Sequence, residues 1–200
     1  MKVIGITGTS GSGKSTVCGW LTAWGYPVLD GDAISREIAV PGSQYLQKLV
    51  QVFGPQICDE QGRLLRRQLG ERIFADPDAH RQLTEITTPL ILEELHRRLE
   101  LLEQQGNTLA FLDGALIIDT PFAPLCDMIV AVVGDRENQI SRIMQRDGVS
   151  RSAAQDRLDR QVSNAFLHER ADLVLENTGT LDQLRQKTEQ FLERIKGTDP

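Results

Sequence analysis

Eight residues near the start of the chain, 8–15, have the types and spacing of a phosphate-binding loop. They read G-T-S-G-S-G-K-S and follow a short β-branched run, Val3 to Thr7, that is suited to a buried strand. Glycines let backbone N–H groups turn toward phosphate oxygens, and a helix that follows presents its positive end to the same anion. A Gly- and Ser-rich turn that binds nothing is the alternative. The residues predicted to bind the nucleotide here are Gly8, Thr9, Ser10, Gly11, Ser12, Gly13, Lys14, Ser15 and Thr16.

Two of these residues and one distant acid have types suited to Mg²⁺ and phosphate. Lys14 is expected to reach the outer phosphates and Ser15 to offer its hydroxyl to Mg²⁺. Asp113 ends the apolar run Leu109 to Leu112 and is a candidate for holding the water shell of the ion. An Asp that only caps the next turn is the competing interpretation.

Two further acids follow the predicted second strand, Tyr26 to Leu29. Asp30 and Asp32 lie at its carboxyl end, which is the ligand side of an open parallel sheet. Asp32 is well placed to take a proton from an acceptor hydroxyl, a step worth about 10²–10⁴-fold in rate.

Arginines cluster in two places in a chain that is acidic overall. One group is Arg66, Arg67 and Arg72. Two interpretations remain open for it: a solvated basic face, or a site that binds an anionic substrate. The second group favours a lid whose arginines neutralise the charge of a transferring phosphoryl group. Salt bridges to Asp147, Asp156 and Asp159 are the alternative for part of this group. Its members are Arg142, Arg146, Arg151, Arg157, Arg160 and Arg170.

The remaining pattern predicts an α/β fold with five parallel strands and flanking helices. The strands are expected at 3–7, 26–29, 109–113, 128–133 and 173–175, and the stretch from 33 to about 105 is helical between Gly and Pro breaks. Ser150 is expected to cap a helix through about Val162, Asn177 to lie in a turn, and Thr180 with Gln183 to form a capping box.

Length, composition and charge narrow the class of protein. The chain has 200 residues, 40% hydrophobic and 25% charged, and a net charge of −6, which argues against nucleic acid or an anionic membrane as the partner. Three scattered cysteines argue against a disulfide framework or a zinc site. We expect a monomeric cytoplasmic protein. A phosphoryl transfer from a nucleoside triphosphate to a small hydroxyl acceptor fits these residues, and no N-K-x-D motif points to a GTPase.

Several of these pieces, in this order, resemble the dephospho-coenzyme A kinase family along nearly the whole chain. The matching segments are 6–16, 28–32 with Arg36 and Pro41-Gly42, 53–54, 67–74, 145–147, Gln161 and 171–179. The resemblance implies phosphorylation of the ribose 3′-hydroxyl of dephospho-CoA by ATP with Mg²⁺. It implies Asp32 as the base, Asp30, Arg36 and Arg67 at the acceptor, Arg142 and Arg146 in or beside the lid, and Asn177 near the adenine.

The same resemblance implies a nucleoside monophosphate kinase-like fold with three parts. These are a core of residues 1–32, 106–145 and 171–200, a helical substrate subdomain at about 33–105 and a lid at about 146–170. The chain departs from the family pattern at Gly31, at Thr88 before Pro89, and at 115–119. Another P-loop kinase acting on a nucleoside or sugar hydroxyl, or a non-catalytic ATP-binding regulator, is the alternative function.

Overall fold

A computed structural model describes residues 1–115 and 117–197. Leu116, in the departing segment 115–119, and residues 198–200, at the end of the predicted core, lie outside the described residues. A five-stranded sheet has the order β2-β3-β1-β4-β5, with parallel pairing of β3 with β1, β1 with β4 and β4 with β5. The strands are β1 (Lys2–Thr7), β2 (Val28–Asp30), β3 (Leu109–Asp113), β4 (Met128–Gly134) and β5 (Leu173–Asn177).

Four helices lie between β2 and β3, and three lie between β4 and β5. The helices are α1 (Lys14–Ala23), α2 (Gly31–Ile38), α3 (Gln44–Phe53), α4 (Arg66–Ala75), α5 (Pro77–Gln104), α6 (Arg136–Asp147), α7 (Arg151–Asp159), α8 (Asn164–Arg170) and α9 (Leu181–Lys196). Among the described residues, none of them is long and apolar enough to cross a membrane.

The chain divides into two compact units, Met1–Leu29 with Gly106 onward, and Asp30–Gln105. The second unit contains α2 to α5 and begins slightly before the expected residue 33. Its core is built from α3, where Leu49 and Phe53 are buried, and from α4 and α5, which contribute Leu69 and Leu90. This unit holds the helical stretch that the sequence predicts between the second and third strands.

The first unit is built around β1, the middle strand of the sheet. Ile4 and Ile6 are fully buried there and pack with Phe111 of β3 and with α1 and α9. On α1, the rings of Trp20 and Trp24 stack with centroids 6.4 Å apart, and the Arg185 guanidinium of α9 lies 6.0 Å from the Trp24 ring centroid. The apolar face of α1 therefore fixes the helix that begins at the phosphate-binding loop.

Two sequence predictions of local structure are wrong. Asn177 is the last residue of β5 rather than part of a turn, because its buried side chain and its pairing with Gly134 hold it in the strand. The helix capped by Ser150 ends at Asp159, short of Val162, and Ser163 caps a separate helix, α8. The other boundaries are close to prediction, and the Thr180–Gln183 capping box is confirmed.

Candidate active site

The loop of residues 8–13 leaves the end of β1 and leads directly into α1. Gly11 and Gly13 adopt φ values of +72° and +103°, which side chains rarely tolerate. A Cβ at Gly13 would lie 2.4 Å from Nδ2 of Asn177, and one at Gly11 would lie 2.8 Å from the carbonyl oxygen of Gln139. The glycines are thus required both by the backbone conformation and by the close packing beneath the loop.

The backbone amides of residues 10–15 fall into two sets. Ser10 and Ser12 donate within the protein, to Oε1 of Gln161 at 2.9 Å and to the Thr9 carbonyl at 3.1 Å. The second set has no hydrogen-bond acceptor in the part of the chain that the structure describes, and its members are Gly11, Gly13, Lys14 and Ser15. Convergent amides without a partner at the start of a helix fit a bound phosphate group.

Four side chains from distant parts of the sequence brace this loop. Nε2 of Gln139 donates to Oγ1 of Thr9 at 2.7 Å and to the Ser10 carbonyl at 2.9 Å, and Nε2 of Gln161 donates to Oγ of Ser10 at 3.1 Å. Nη1 of Arg142 donates to the Gly11 carbonyl at 2.9 Å. Nδ2 of Asn177 donates to the Ser12 carbonyl at 2.8 Å.

These contacts bear on two predicted site residues. Asn177 is 6% exposed, and its amide is used to hold the loop from below, so a contact between its side chain and the nucleotide stays a prediction. Arg142 is half-buried and has no carboxylate partner among the described residues. Its remaining N–H groups can therefore face an anion.

The structure brings Lys14 and Asp113 together. Nζ of Lys14 contacts Oδ1 of Asp113, and the two side chains are 18% and 13% exposed. The sequence predicted both residues for the site but not this pairing. In this arrangement Asp113 compensates the lysine charge, and Lys14 would exchange one anionic partner for another when phosphate binds.

Most of the other arginines predicted for the lid have carboxylate partners. Arg146 and Arg157 both bind Asp147, and these two guanidiniums, Arg146 first, hold the pKa of the Asp147 carboxyl at about 2. Two more lid arginines have carboxylate partners: Arg151 binds Glu137, and Arg170 lies 3.9 Å from Asp119. Asp159 pairs with Arg136, which lies outside the predicted set. Arg160 is exposed and has no partner among the described residues. Four of the six arginines therefore have carboxylate partners, but only Arg146 and Arg157 pair with an acid that the sequence predicted, Asp147.

The two predicted acids of the second unit, Asp30 and Asp32, have different contacts. Oδ1 of Asp30 accepts the Ala33 amide at 2.9 Å and so caps α2. Asp32 lies in the first turn of the same helix, exposed, and its carboxylate has no partner among the described residues. Of the two, Asp32 is the one free to act as a base.

The arginines of the second unit also differ from one another. Nη2 of Arg66 donates to the carbonyl of Arg36 at 3.2 Å, so these residues are neighbours, and neither side chain meets a carboxylate in the described chain. Nε of Arg67 binds Oε1 of Glu71 at 3.0 Å, and the Arg67 side chain is 92% exposed. Arg72 donates to the Phe53 carbonyl at 2.8 Å and is structural.

Sequence reasoning assigned no role to Gln139 or Gln161. Gln161 was among the residues that match the family. Gln139 is a polar residue of α6 that is only 3% exposed. A glutamine one helical turn before the buried Ile143 is a usable signal, since it places an amide on the buried face of α6.

A phosphate-binding loop after the middle strand of a parallel sheet, with a helical insertion after β2, defines a P-loop kinase. The family model for dephospho-CoA kinase matches residues 2–183. A dephospho-CoA kinase of Anaeromyxobacter dehalogenans is 38% identical over 98% of this chain and 93% of its own length.

Solved structures agree with the sequence comparison. A Thermus thermophilus protein superposes with a TM-score of 0.82 at 33% identity over 97% of each chain. The dephospho-CoA kinase of Campylobacter jejuni superposes with a TM-score of 0.74 at 25% identity over the whole of both chains. The chain belongs to the dephospho-CoA kinase family.

Proposed function

We propose that the protein transfers the γ-phosphoryl group of ATP to the ribose 3′-hydroxyl of dephospho-CoA, giving CoA and ADP. The observation that carries the proposal is the set of four loop amides without acceptors beside Lys14, in a chain of this family. A bond forms between the acceptor oxygen and the phosphorus as the bond to the leaving ADP oxygen breaks, and the hydroxyl proton goes to a base.

On the donor side, the loop amides and Lys14 bind the phosphates, and Arg142 neutralises charge that develops in the transition state. Ser15 and Asp113 fit a Mg²⁺ site, because the ion takes few protein oxygens and completes its shell with water and phosphate oxygens. Bound Mg²⁺ would screen the phosphate charge. The described residues hold no cluster of three or more acidic, His or Cys side chains.

On the acceptor side, Asp32 takes the proton of the 3′-hydroxyl. Its carboxylate is exposed and has no partner in the described chain, whereas Asp30 is engaged as a helix cap. General-base assistance of this kind contributes about 10²–10⁴-fold in rate.

The diphosphate of the acceptor requires a cation, and Arg36 with Arg66 is the best-supported pair for it. Both guanidiniums lack a carboxylate partner among the described residues, so neither must give up an ion pair to bind. Arg67, which the sequence favoured, already binds Glu71 and is the weaker candidate. Nucleotide contacts by Arg146 and Asn177 remain proposals.

An ADP-release assay with Mg-ATP and dephospho-CoA tests the function, with mass detection of CoA and a panel of nucleosides and sugars as other acceptors. CoA formation that is abolished in Lys14→Ala supports the proposal. Turnover of a different hydroxyl compound alone would point to another small-molecule kinase. Tight ATP binding with no transfer to any acceptor would point to a regulator.

A further inference from the structure

Ser10 is the residue of the phosphate-binding loop that is most completely bound by other side chains. Its amide and hydroxyl contact Gln161, at 2.9 and 3.1 Å, and its carbonyl contacts Gln139 at 2.9 Å. All three of its polar groups are therefore satisfied within the protein. Ser10 cannot offer its amide to a phosphate while Gln161 holds it.

Gln161 reaches this position from the end of α7. Its own amide donates to the Leu158 carbonyl at 3.0 Å, so its backbone follows the last turn of that helix. Leu158 and Ala154 pack α7 on Ile140 and Ile143 of α6. The docking of α7 on α6 thus sets where the Gln161 amide lies.

Gln161 makes two hydrogen bonds that link the end of α7 to the loop. Thr9, Gln139 and Gln161 border a cavity of about 350 Å³ that Leu158 and Asp159 also line. Because the space beside the contact is not filled by side chains, the link between helix and loop depends on the two hydrogen bonds of Gln161.

We infer that Gln161 is a positioning residue that makes the phosphate-binding conformation of the loop depend on the docking of α7. By holding Ser10 it orients the amides that have no partner, those of Gly11, Gly13, Lys14 and Ser15, toward the nucleotide. The inference rests on the proposed function only in taking the bound anion to be a nucleotide phosphate. A lid segment and a donor site coupled in this way respond to each other.

The first test measures amide hydrogen exchange at Ser10 in three variants. Gln161→Met removes both hydrogen bonds at similar size and should speed Ser10 exchange about fivefold to tenfold, the effect of losing one to two neutral hydrogen bonds. Gln161→Glu keeps an acceptor for the amide and should stay near the parent. Gln186→Met, at an exposed position on α9, is the matched control and should change nothing. Unchanged exchange in Gln161→Met would overturn the contact itself.

The second test is a double-mutant cycle on ADP affinity by calorimetry, with Leu158→Ala loosening the α7 docking. Gln161→Met should weaken ADP binding about fivefold to tenfold, and Leu158→Ala should weaken it several-fold only while Gln161 is present. The double variant should bind ADP as Gln161→Met does. Additive losses, or an ADP affinity that Gln161→Met leaves unaltered, would overturn the coupling.

Steady-state kinetics separates this inference from the proposed function. The variant Gln161→Met should raise the KM for ATP and leave the KM for dephospho-CoA unchanged, which a general loss of structure would not do. If the parent protein forms no CoA, the proposed function fails while the ADP-binding cycle still decides the role of Gln161. If the parent forms CoA and the cycle is additive, only the inference fails.

Discussion

The phosphate-binding loop and the helical unit of residues 30–105 hold their polar groups in opposite ways. Each brace of the loop comes from a residue more than 125 positions away, and the amides of Gln139 and Asn177 are buried. In the helical unit most ion pairs join residues three or four positions apart on exposed faces, as in Arg67–Glu71 and Arg81–Asp78.

This difference has a physical consequence for binding. Buried hydrogen bonds fix the loop before a ligand arrives, so little reorganisation is needed when phosphate binds. Exposed ion pairs contribute about 0–1 kcal/mol each and exchange partners readily. We therefore expect a donor site that is sensitive to its supports, and an acceptor unit whose exposed ion-paired side chains can be replaced one at a time with little loss of stability.

The largest effect is expected at the one acceptor-side residue that takes part in the chemistry. Asp32→Asn removes the base and should lower kcat about 10²–10⁴-fold, with ATP affinity almost unchanged because the phosphate contacts remain. Single-turnover kinetics measures the rate of phosphoryl transfer, and calorimetric binding of ADP measures the nucleotide affinity. Asp30→Asn, which retains an oxygen for the helix cap, is the control and should lose far less. Equal turnover in Asp32→Asn and the parent would remove Asp32 as the base.

A large loss is also expected where the loop is supported from below. Asn177→Ala leaves the Ser12 carbonyl without its buried donor and should cost about 2 kcal/mol of unfolding free energy, with ADP binding weaker by about tenfold. Denaturant unfolding and calorimetry measure the two effects.

Asn164→Ala is the matched control, because Nδ2 of Asn164 also donates to a backbone carbonyl, that of Gly134, at 2.9 Å. It should lower stability without a comparable change in ADP affinity. Equal losses of affinity in the two variants would mean that the loop is not specially dependent on its braces.

Two neighbouring arginines provide the test on the acceptor side. Arg66→Gln should raise the KM for dephospho-CoA about tenfold and leave the KM for ATP alone, because one charge-assisted contact to the diphosphate is lost. Arg67→Gln should change neither, since it breaks only an exposed ion pair.

Adenosine, which lacks the diphosphate, sharpens the result as an alternative acceptor. The preference of the parent for dephospho-CoA over adenosine should shrink in Arg66→Gln, with the adenosine rate unchanged. A larger KM effect in Arg67→Gln than in Arg66→Gln would assign the diphosphate contact to Arg67, as the family resemblance implied.

The smallest effect is expected at Glu94, which forms ion pairs with both Arg97 and Arg98. The guanidinium of Arg97, followed by that of Arg98, lowers the pKa of Glu94 from 4.5 to about 2 against the opposing effect of burial. A lowered carboxyl pKa stabilises the fold above the usual pKa, and this stability is lost as the pH falls toward 2. Glu94→Gln should therefore cost about 1 kcal/mol at pH 7.

Denaturant unfolding at several pH values checks this prediction. The difference between the parent and Glu94→Gln should be constant above about pH 5 and vanish near pH 2, while the exposed neighbour Glu93→Gln should show none. A loss of several kcal/mol would show that local pairs in this unit are as important as the loop braces.

The sequence predicted the parts of this protein that are encoded locally. The loop, the order of strands and helices and the breaks at Pro41-Gly42 and Asp76-Pro77 follow from neighbouring residues. The pairings that decide the site do not, because Lys14 and Asp113, like Ser10 and Gln161, are far apart in sequence and meet only in the folded protein.

The same reason explains why the turn predicted at Asn177 is wrong. Asn177 has the composition of a turn residue, and only its buried contact with Ser12 shows why it stays in β5. Arg66 and Arg67 are adjacent basic residues, and only the structure shows that their partners differ, the Arg36 carbonyl for Arg66 and Glu71 for Arg67.

The stacked tryptophans of α1 give this protein a built-in optical probe. They are the only two tryptophans in the chain; Trp20 lies on the helix whose first residues, Lys14 and Ser15, belong to the loop, and Trp24 caps the end of that helix. The indole emission therefore comes entirely from the nucleotide-binding unit, next to the Arg185 guanidinium. Fluorescence titration can follow nucleotide binding without a label, and movements confined to residues 30–105 leave no tryptophan signal of their own.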